Sequence, residues 1–525
     1  MRPVQAVSQD QPESWRAQAW LLAGALASAA LLVLASPGVT TWRWCALLAW
    51  IAFAPIAWVL PRVSMRRAAL LGWVAGFALN AGLCSWFPGL LARFSGLHPA
   101  LAVAASLVIW SWQALAWCAW ALITRAVHRA PWAPLASAAA FVVIERWMPM
   151  VFPYSLGITQ YRMPWPAQIA ELGGPYLLTF LFVLTGSMIA LAASVRRSSH
   201  RHAAVLLGAS LAVPMVASAF GAWRIRGVDA ARGTSASLRV GMVQASWVRT
   251  GWQAAPDPPE ILGRYQDLSA TLEREQGPLD LLIWPEKAYP LLLRHDAAHD
   301  YPSGHERRIR RGFRSPLLFG VTAVDVSTRE ITNSAAFADS NDRMQVFYDK
   351  VQLIPYSEWL PGMLSPHAGG GKRYRAGNGP QLLALPSSRS LGAFICFESI
   401  FPAYMRTVMR GRPDLLVNLS DDAWFGDGAE PEQHLAQVVF RAIESRRDLV
   451  RSTGSGISAH VASTGRILAT TQLSRQGEGT TLVVTPKVGA MRSWYGWLGD
   501  AFPWACLLVV IAAIAARRSI PAARV

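Results

Sequence analysis

The chain has 525 residues, which is too long for one ordinary soluble domain and predicts at least two units. Hydrophobic residues make up 53% and charged residues only 15%, against about 25% in typical soluble proteins. The formal charge is +17, but no zinc-finger, helix-turn-helix or RNA-binding pattern accompanies it, so nucleic acid is not expected as a partner. Many arginines stand at the ends of apolar runs, which favours an anionic lipid surface.

Apolar stretches dominate the first part of the chain. Seven precede the polar region and one follows it, each near the ~20 residues that cross hydrocarbon. They lie at roughly 19–36, 44–60, 68–88, 100–124, 131–149, 174–195, 203–223 and 498–516. We therefore predict a multi-pass helical membrane bundle of eight spans. Residues 1–223 hold spans one to seven, and residues 498–525 hold the last span and a tail.

Arginines in the loops orient this bundle. They precede span one and follow spans two, four, six and eight, so all lie on one side if all eight spans exist. These residues are Arg2, Arg16, Arg62, Arg66, Arg67, Arg125, Arg129, Arg196, Arg197, Arg201, Arg517 and Arg518. Because cytoplasmic loops carry the excess of Lys and Arg, the pattern predicts cytoplasmic termini, with residues 224–497 on the opposite side.

From about residue 237 the pattern changes to short β-rich runs separated by polar helical segments. Nearly continuous apolar runs are typical of strands that other layers cover on both faces. The predicted strands are Leu238–Ala245, Leu279–Trp284, Leu317–Ala323, Leu391–Cys396 and Leu415–Leu419. Helices are predicted at Glu260–Gln276 and His434–Arg447. The sequence thus predicts a layered α/β domain of about 250 residues.

Three strand ends of this domain carry polar side chains. Glu286 follows an apolar run that ends Trp-Pro, Lys350 follows Tyr348-Asp349, and Cys396, the one cysteine of the polar region, follows Phe394-Ile395. Strand ends in α/β sheets converge on a common crevice. There Glu286 is suited to accept the thiol proton, and Lys350 to stabilise a thiolate and an oxyanion. Taken singly, each also fits a structural role as a surface carboxylate, a solvated ammonium or a buried thiol.

At these segments the sequence resembles the nitrilase superfamily, and more closely its membrane branch, the apolipoprotein N-acyltransferases. The resemblance covers nearly the whole chain. Its motifs are Trp284-Pro285-Glu286, Tyr348-x-Lys350 with Leu353-Ile354-Pro355-Tyr356-Ser357-Glu358, Ile395-Cys396-Phe397-Glu398, Asp422-Ala423-Trp424-Phe425-Gly426 with His434, and Gly456-Ile457-Ser458-Ala459. In the membrane part, Glu145-Arg146, Phe152-Pro153, Gln168 and Gly173-Gly174 also match.

The resemblance implies a nitrilase-like αββα sandwich within residues 224–497, on the periplasmic side of a bacterial inner membrane. It implies transfer of an acyl chain from a phospholipid, typically phosphatidylethanolamine, to the α-amine of a diacylglyceryl-cysteine on an apolipoprotein, through a thioester. Glu286 would be the base, Lys350 the oxyanion holder and Cys396 the nucleophile. Supporting or substrate-binding roles follow for Glu358, Glu398, Trp252, Phe397 and Trp424. No cofactor and no metal are expected.

Some positions depart from the family pattern. Lys287 stands where a small hydroxyl residue is usual, Gln352 replaces a common His, and Asp421 replaces the usual Asn before Asp422. None of these changes removes the predicted triad. They leave open a divergent member with a different donor or acceptor.

Two other functions compete with acyl transfer. A membrane-anchored amidase or nitrile hydrolase would use the same three residues with water as the second nucleophile, although one anchor would suffice for a soluble substrate. A transporter or scaffold with an inactive domain is the other. Its spans would need ionisable residues for a transport path, and Glu145 is the main one present.

Overall fold

The computed structural model describes residues 15–130, 132–246, 257–355, 357–359, 374–385, 388–426, 428–472, 478–489 and 491–519. Its α-helices are α1 (Trp15–Ala35), α2 (Ala54–Val59), α3 (Met65–Leu83), α4 (Phe87–Ser95), α5 (Pro99–Val127), α6 (Ala133–Trp147), α7 (Pro164–Ala167), α8 (Ala170–Gly173), α9 (Pro175–Val195), α10 (His200–Gly233), α11 (Pro258–Gln276), α12 (Pro402–Arg410), α13 (Glu430–Ser445), α14 (Trp494–Leu498) and α15 (Ala501–Ser519). Short 3-10 helices span Arg43–Trp50, Leu60–Arg62, Leu156–Gln160 and Cys396–Ile400.

The N-terminal half contains several helices that fit a membrane. Within the described ranges, five helical stretches are long and apolar enough to cross one, or six if α3 and α4 together form one bent span. The five stretches are Gln18–Ala35, Arg43–Arg62, Pro99–Val127, Pro175–Val195 and His200–Gly233. α15 contributes a shorter apolar helix, Ala501–Ala516, and α6, at the fifth predicted span, has 15 residues.

The third predicted span, residues 68–88, is not one straight helix. α3 ends at Leu83 and α4 continues after a 57° bend. Pro88 lies in the first turn of α4, where its missing N–H costs nothing, although inside a continuous helix it would break a hydrogen bond. The bend turns the aromatic residues at the start of α4 toward the α/β part of the chain.

Small residues let the central helices approach closely. Gly72 and Gly76 on α3 face α5, and a Cβ added at Gly72 would lie 2.6 Å from the Cβ of Ala121. A Cβ at Gly76 would lie 2.8 Å from the Cβ of Trp117. This Gly-x-x-x-Gly spacing is typical of helix packing in membranes, where shape complementarity replaces the hydrophobic drive.

The remaining described residues form two β-sheets. The strands are β1 (Val240–Gln244), β2 (Leu281–Ile283), β3 (Tyr289–Arg294), β4 (Leu317–Val324), β5 (Ile331–Ala338), β6 (Met344–Asp349), β7 (Leu382–Ala384), β8 (Ser390–Ile395), β9 (Leu415–Ser420), β10 (Leu449–Thr453), β11 (Ala459–Val461), β12 (Ile467–Thr470) and β13 (Thr480–Val484). One sheet has the order β13-β1-β2-β4-β5-β6, with β3 also paired to β4; the other has the order β12-β11-β10-β9-β8-β7. All five predicted strands and both predicted helices are confirmed to within a few residues.

The two sheets pack face to face as the inner layers of a four-layer sandwich. Apolar residues of β1, β2, β8, β9 and β10 share one buried cluster between the sheets. α11 covers the outer face of the first sheet, and α12 and α13 cover that of the second. The cluster under α13 continues into the membrane helices, so the second helical layer lies directly on them.

Polar contacts also join the two parts. α10 has 34 residues, about 50 Å at 1.5 Å per residue, and so exceeds a hydrocarbon core of about 30 Å. Near its end, the Arg232 guanidinium donates two hydrogen bonds, 3.0 and 2.7 Å long, to the Asp448 carboxylate before β10. This bidentate contact fixes the last turn of α10 against the second sheet.

Candidate active site

Glu286 lies at the end of β2, where the chain passes close to the neighbouring strand. A Cβ added at Gly320 on β4 would lie 2.5 Å from both the Cα of Glu286 and the carbonyl oxygen of Pro285. Only glycine therefore permits this approach without moving backbone. The turn continues through Lys287, whose φ of 52° is left-handed. Glu286 itself is buried.

Lys350 follows β6, and its side chain is completely buried. Its Nζ lies 2.9 Å from Glu358 Oε2 and 3.4 Å from Glu286 Oε1. Burial by itself lowers the pKa of Lys350, but the two carboxylates outweigh it and raise the pKa above its usual value. The pKa of Glu358 falls to about 2, since the ammonium groups of Lys350 and Lys287 outweigh the effect of burial. The ammonium is thus held charged between two carboxylates.

Asn333, on β5, belongs to the same cluster and was missed from the sequence. Its amide nitrogen donates to Glu286 Oε1 at 2.7 Å and to Glu358 Oε1 at 2.8 Å. Asn333 is fully buried in a strand whose eight residues are all buried. The available signal was weak, because Asn333 stands between Thr332 and Ser334 and nothing in this polar run indicates that the amide is buried against a carboxylate.

Cys396 begins the short helix after β8 in a strained backbone conformation. Its φ is 49°, a left-handed value that non-glycine residues seldom adopt outside functional turns. The side chain is buried, and its pKa is raised well above its usual value, chiefly by burial and then by the charge of Glu286. The charge of Lys350 lowers the pKa of the thiol but does not outweigh these two effects. The resting thiol is therefore protonated and needs a base to become a nucleophile.

Glu398 connects the Lys350 and Cys396 segments. Its Oε1 accepts from the backbone N–H of Val351 at 2.7 Å and of Gln352 at 3.1 Å. Its Oε2 accepts from the Ile395 N–H and the Tyr348 hydroxyl, both at 2.6 Å. Burial nevertheless raises the pKa of this carboxyl. Glu398 thus fixes the backbone on either side of the site and does not line the cavity described below.

A second polar network lies beneath Cys396. His434 Nε2 is 3.2 Å from the carbonyl oxygen of Cys396, and its Nδ1 is 3.1 Å from Asp422 Oδ1. Arg451 donates to both Asp422 oxygens, at 2.9 and 2.7 Å. Burial and then Arg451 lower the pKa of His434, which is therefore neutral at pH 7. Arg451 is a second residue that sequence reasoning missed.

This network also contains a group of potential metal ligands. One atom each of Asp422, Glu430 and His434 lies within 4.8 Å of the others. Arg451 already neutralises Asp422, and burial raises the pKa of Glu430 well above its usual value. A metal ion bound to Asp422 would lie next to the Arg451 guanidinium, which already donates hydrogen bonds to that carboxylate. The two positive charges would repel each other, so these residues do not fit a metal site.

A cavity of about 490 Å³ opens at the site. Glu286, Glu358 and Cys396 line it on one side, and Trp86 and Phe152 from the membrane part line it on the other. Aromatic rings connect the two sides, because Phe152 packs edge-on against both Trp86 and Phe397. The cavity joins a reactive thiol to an apolar wall.

The predicted supporting residues fall into three groups. Phe397 and Trp424 line the cavity, and Glu358 lines it while binding Lys350. Glu398 lies behind the site, as described above. Trp252 lies outside the described residues.

Comparisons with known proteins match both parts of the chain. Residues 28–188 match the apolipoprotein N-acyltransferase N-terminal domain, and residues 239–495 match the carbon-nitrogen hydrolase family. An apolipoprotein N-acyltransferase of Geobacter metallireducens is 31% identical over 94% of this chain and 95% of its own. One from Azotobacter vinelandii is 29% identical over 93% of each chain. The solved structure of Saccharomyces cerevisiae Nit3, a nitrilase-superfamily member, covers 55% of this chain and 96% of its own, with 14% identity and a TM-score of 0.36.

The two sheets and the buried Glu-Lys-Cys cluster, together with the family match, define an enzyme with a nitrilase-like α/β domain. Several apolar helices accompany this domain, so the protein is a membrane protein. The near full-length relatives identify its group: the chain belongs to the apolipoprotein N-acyltransferase family.

Proposed function

We propose that this protein moves a fatty acyl chain from a phospholipid, with phosphatidylethanolamine as the expected donor, to the N-terminal α-amine of a diacylglyceryl-cysteine on apolipoproteins. The observation that carries this proposal is the cavity at Cys396, which the α/β part and the membrane helices line together. A lipid ester whose acyl chain lies along the apolar membrane-side wall can reach the thiol on the opposite wall.

The first step forms a thioester on Cys396. Glu286 takes the thiol proton, and Sγ attacks the ester carbonyl carbon of the donor. Lys350 stabilises the negative charge on the carbonyl oxygen in the tetrahedral intermediate. When the carbon–oxygen bond breaks, Glu286 returns its proton to the glycerol oxygen, and lysophospholipid leaves.

The second step transfers the acyl chain to nitrogen. The neutral α-amine of the acceptor attacks the thioester carbon, and Glu286 accepts a proton from the amine. The carbon–sulfur bond then breaks, the amide is released, and the proton on Glu286 returns to the thiolate. Water, the competing nucleophile, is disfavoured by the apolar cavity.

The other site residues serve this chemistry indirectly. Glu358 orients Lys350 through its 2.9 Å contact, and Glu398 positions the segments that carry Lys350 and Cys396. Phe397 and Trp424 contact the acyl chain from the cavity wall. Trp252 is assigned to the lipid entrance by family resemblance alone.

For the membrane arrangement we propose eight spans in a bacterial inner membrane, with both termini in the cytoplasm. Residues 1–223 form spans one to seven, 224–497 the periplasmic catalytic domain with its linkers, and 498–525 the last span and tail. Support comes from the arginines that follow spans two, four and six, all on one side of this arrangement.

Two cysteine variants, Ser198→Cys and Ser327→Cys, test this arrangement with a membrane-impermeant maleimide. In intact cells with a permeable outer membrane, only the cysteine introduced at position 327 should react.

Intact-mass measurement tests the chemistry. Purified protein is incubated with phosphatidylethanolamine and compared with Cys396→Ala. We expect a hydroxylamine-labile acyl adduct on the wild type alone, together with lysophospholipid. Adding a diacylglyceryl-cysteine peptide should discharge the adduct to an amide. An adduct that discharges only to free fatty acid would indicate a hydrolase, and absence of both adduct and lysophospholipid would refute the phospholipid donor.

A further inference from the structure

Lys287 is a cation at the site that the proposed chemistry does not use. It directly follows Glu286, and the left-handed backbone at Lys287 lets both side chains line the cavity. Its side chain is 37% exposed, whereas that of Lys350 is 0% exposed. Lys287 therefore faces the space that a substrate occupies, while Lys350 is enclosed by protein.

The contacts of Lys287 with other described residues leave donor capacity unused. Its Nζ lies 3.6 Å from Glu358 Oε1, an oxygen that already accepts from Lys350 at 3.1 Å and from Asn333 at 2.8 Å. The ammonium also lies 4.5 Å from the ring centroid of Tyr374. Burial lowers the pKa of Lys287, but Glu286, Tyr374 and Glu358 outweigh it, and the group stays protonated.

The charges around the cavity make this ammonium distinctive. Among the described residues that line it, Lys287 is the one Lys or Arg, whereas four lining side chains are carboxyls: Glu286, Glu358, Asp421 and Glu430. Within this described lining, an anionic group that enters the space meets one positive charge, that of Lys287. Lysine is a common partner for phosphate because its flexible stem carries a compact charge.

We propose that Lys287 binds the phosphodiester of the acyl donor and so selects glycerophospholipids over neutral esters. This inference rests on the proposed function. In a glycerophospholipid, the phosphate is only a few covalent bonds from the ester carbon that Cys396 attacks. Lys287 is thus a substrate-positioning residue, separate from the Glu286, Lys350 and Cys396 chemistry.

The test compares two donors in Lys287→Met, which keeps the aliphatic stem over Tyr374, and in Lys287→Arg, which keeps the charge. The donors are phosphatidylethanolamine and p-nitrophenyl palmitate, an ester without phosphate, in the same detergent micelles. We expect the ratio of the two kcat/KM values, phospholipid over ester, to fall about tenfold in Lys287→Met, mainly through KM. Lys287→Arg should keep the ratio within about threefold of the wild type.

Arg389→Ser is the matched control, because Arg389 is 38% exposed, forms a long ion pair of 3.8 Å with Asp414 and does not line the cavity. It should leave the ratio unchanged. Equal losses toward both donors in Lys287→Met would overturn the inference and assign Lys287 to holding Glu358. A wild-type enzyme that acylates Cys396 from neither donor would instead refute the proposed function.

Discussion

The two walls of the cavity differ in chemistry. The wall from the α/β part carries all the carboxyl, ammonium and imidazole groups among the described lining residues, including Glu286, Lys287 and His434. The wall from the membrane part is mostly apolar and aromatic, with residues such as Trp86, Phe87 and Leu90, and its polar members, such as Ser155 and Thr159, are uncharged. Unpaired charges are costly in hydrocarbon, so the reactive groups lie on the domain that water can reach. Under the proposed function, the α/β part makes and breaks the covalent bonds, and the membrane part binds the acyl chain.

Removing the base from the polar wall should have the largest effect. Glu286→Gln keeps the shape and the hydrogen bond to Asn333 but cannot accept the thiol proton. We expect the rate of thioester formation, measured by intact mass in rapid-quench samples, to fall about 100-fold or more. Glu275→Gln on the exposed face of α11 is the control. A loss below about threefold would mean that another group is the base.

Displacing the backbone of Glu286 should have the next largest effect. In Gly320→Ala the new Cβ would lie 2.5 Å from Glu286 Cα, so the backbone under Glu286 must shift. Because a displacement of about 1 Å costs catalysis heavily, we expect the thioester rate to fall about tenfold or more. Gly208→Ala on α10, with no atom within 4 Å of the added Cβ, should not change it. Thermal melting of both variants separates misplacement from unfolding, and an unchanged rate in Gly320→Ala would contradict the close approach.

Changing the apolar wall should affect binding more than chemistry. Phe152→Ala removes a ring that packs against Trp86 and Phe397. We expect KM for long-chain phosphatidylethanolamine to rise about threefold to tenfold with little change in kcat, since apolar contact area is lost. Phe180→Ala, which removes a ring paired with Phe502 outside the cavity, is the matched control. If kcat fell and KM stayed constant, the two walls would not divide the functions as described.

The smallest effect should be a change in pH dependence. Burial and then the charge of Glu286 raise the pKa of Asp421 from 3.8 to about 7. Below pH 7 Asp421 is mostly neutral; above it, Asp421 adds a second negative charge beside Glu286, which favours transfer of the Cys396 proton toward these carboxylates. The wild-type thioester rate should therefore rise about twofold to threefold between roughly pH 6 and 8 beyond that of Asp421→Asn. Parallel pH profiles in the two proteins would exclude this coupling.

Much of the fold and site was predictable from local sequence. Apolar runs marked β2, β8 and β9, because strands buried on both faces need continuous hydrophobic residues. Polar residues directly after such runs indicated Glu286 and Cys396. Their strands, β2 and β8, belong to different sheets, so the packing of the two sheets face to face brings these ends together. Family resemblance added Glu358, which the structure places 2.9 Å from Lys350.

Other features depended on contacts between distant segments, which periodicity does not encode. Asn333 meets Glu286 across 47 positions of sequence, and Arg451 meets Asp422 across 29. The bend before α4, with Pro88 as its only sequence signal, brings Trp86 within hydrogen-bond reach of Gln433 on α13. The sequence by itself determined the two kinds of domain, because hydropathy is a local property. Strand ends and family resemblance predicted Glu286, Lys350 and Cys396 as the triad of the proposed function. Only the tertiary structure decided which apolar surface faces the thiol, because that depends on how membrane helices pack against a domain far along the chain.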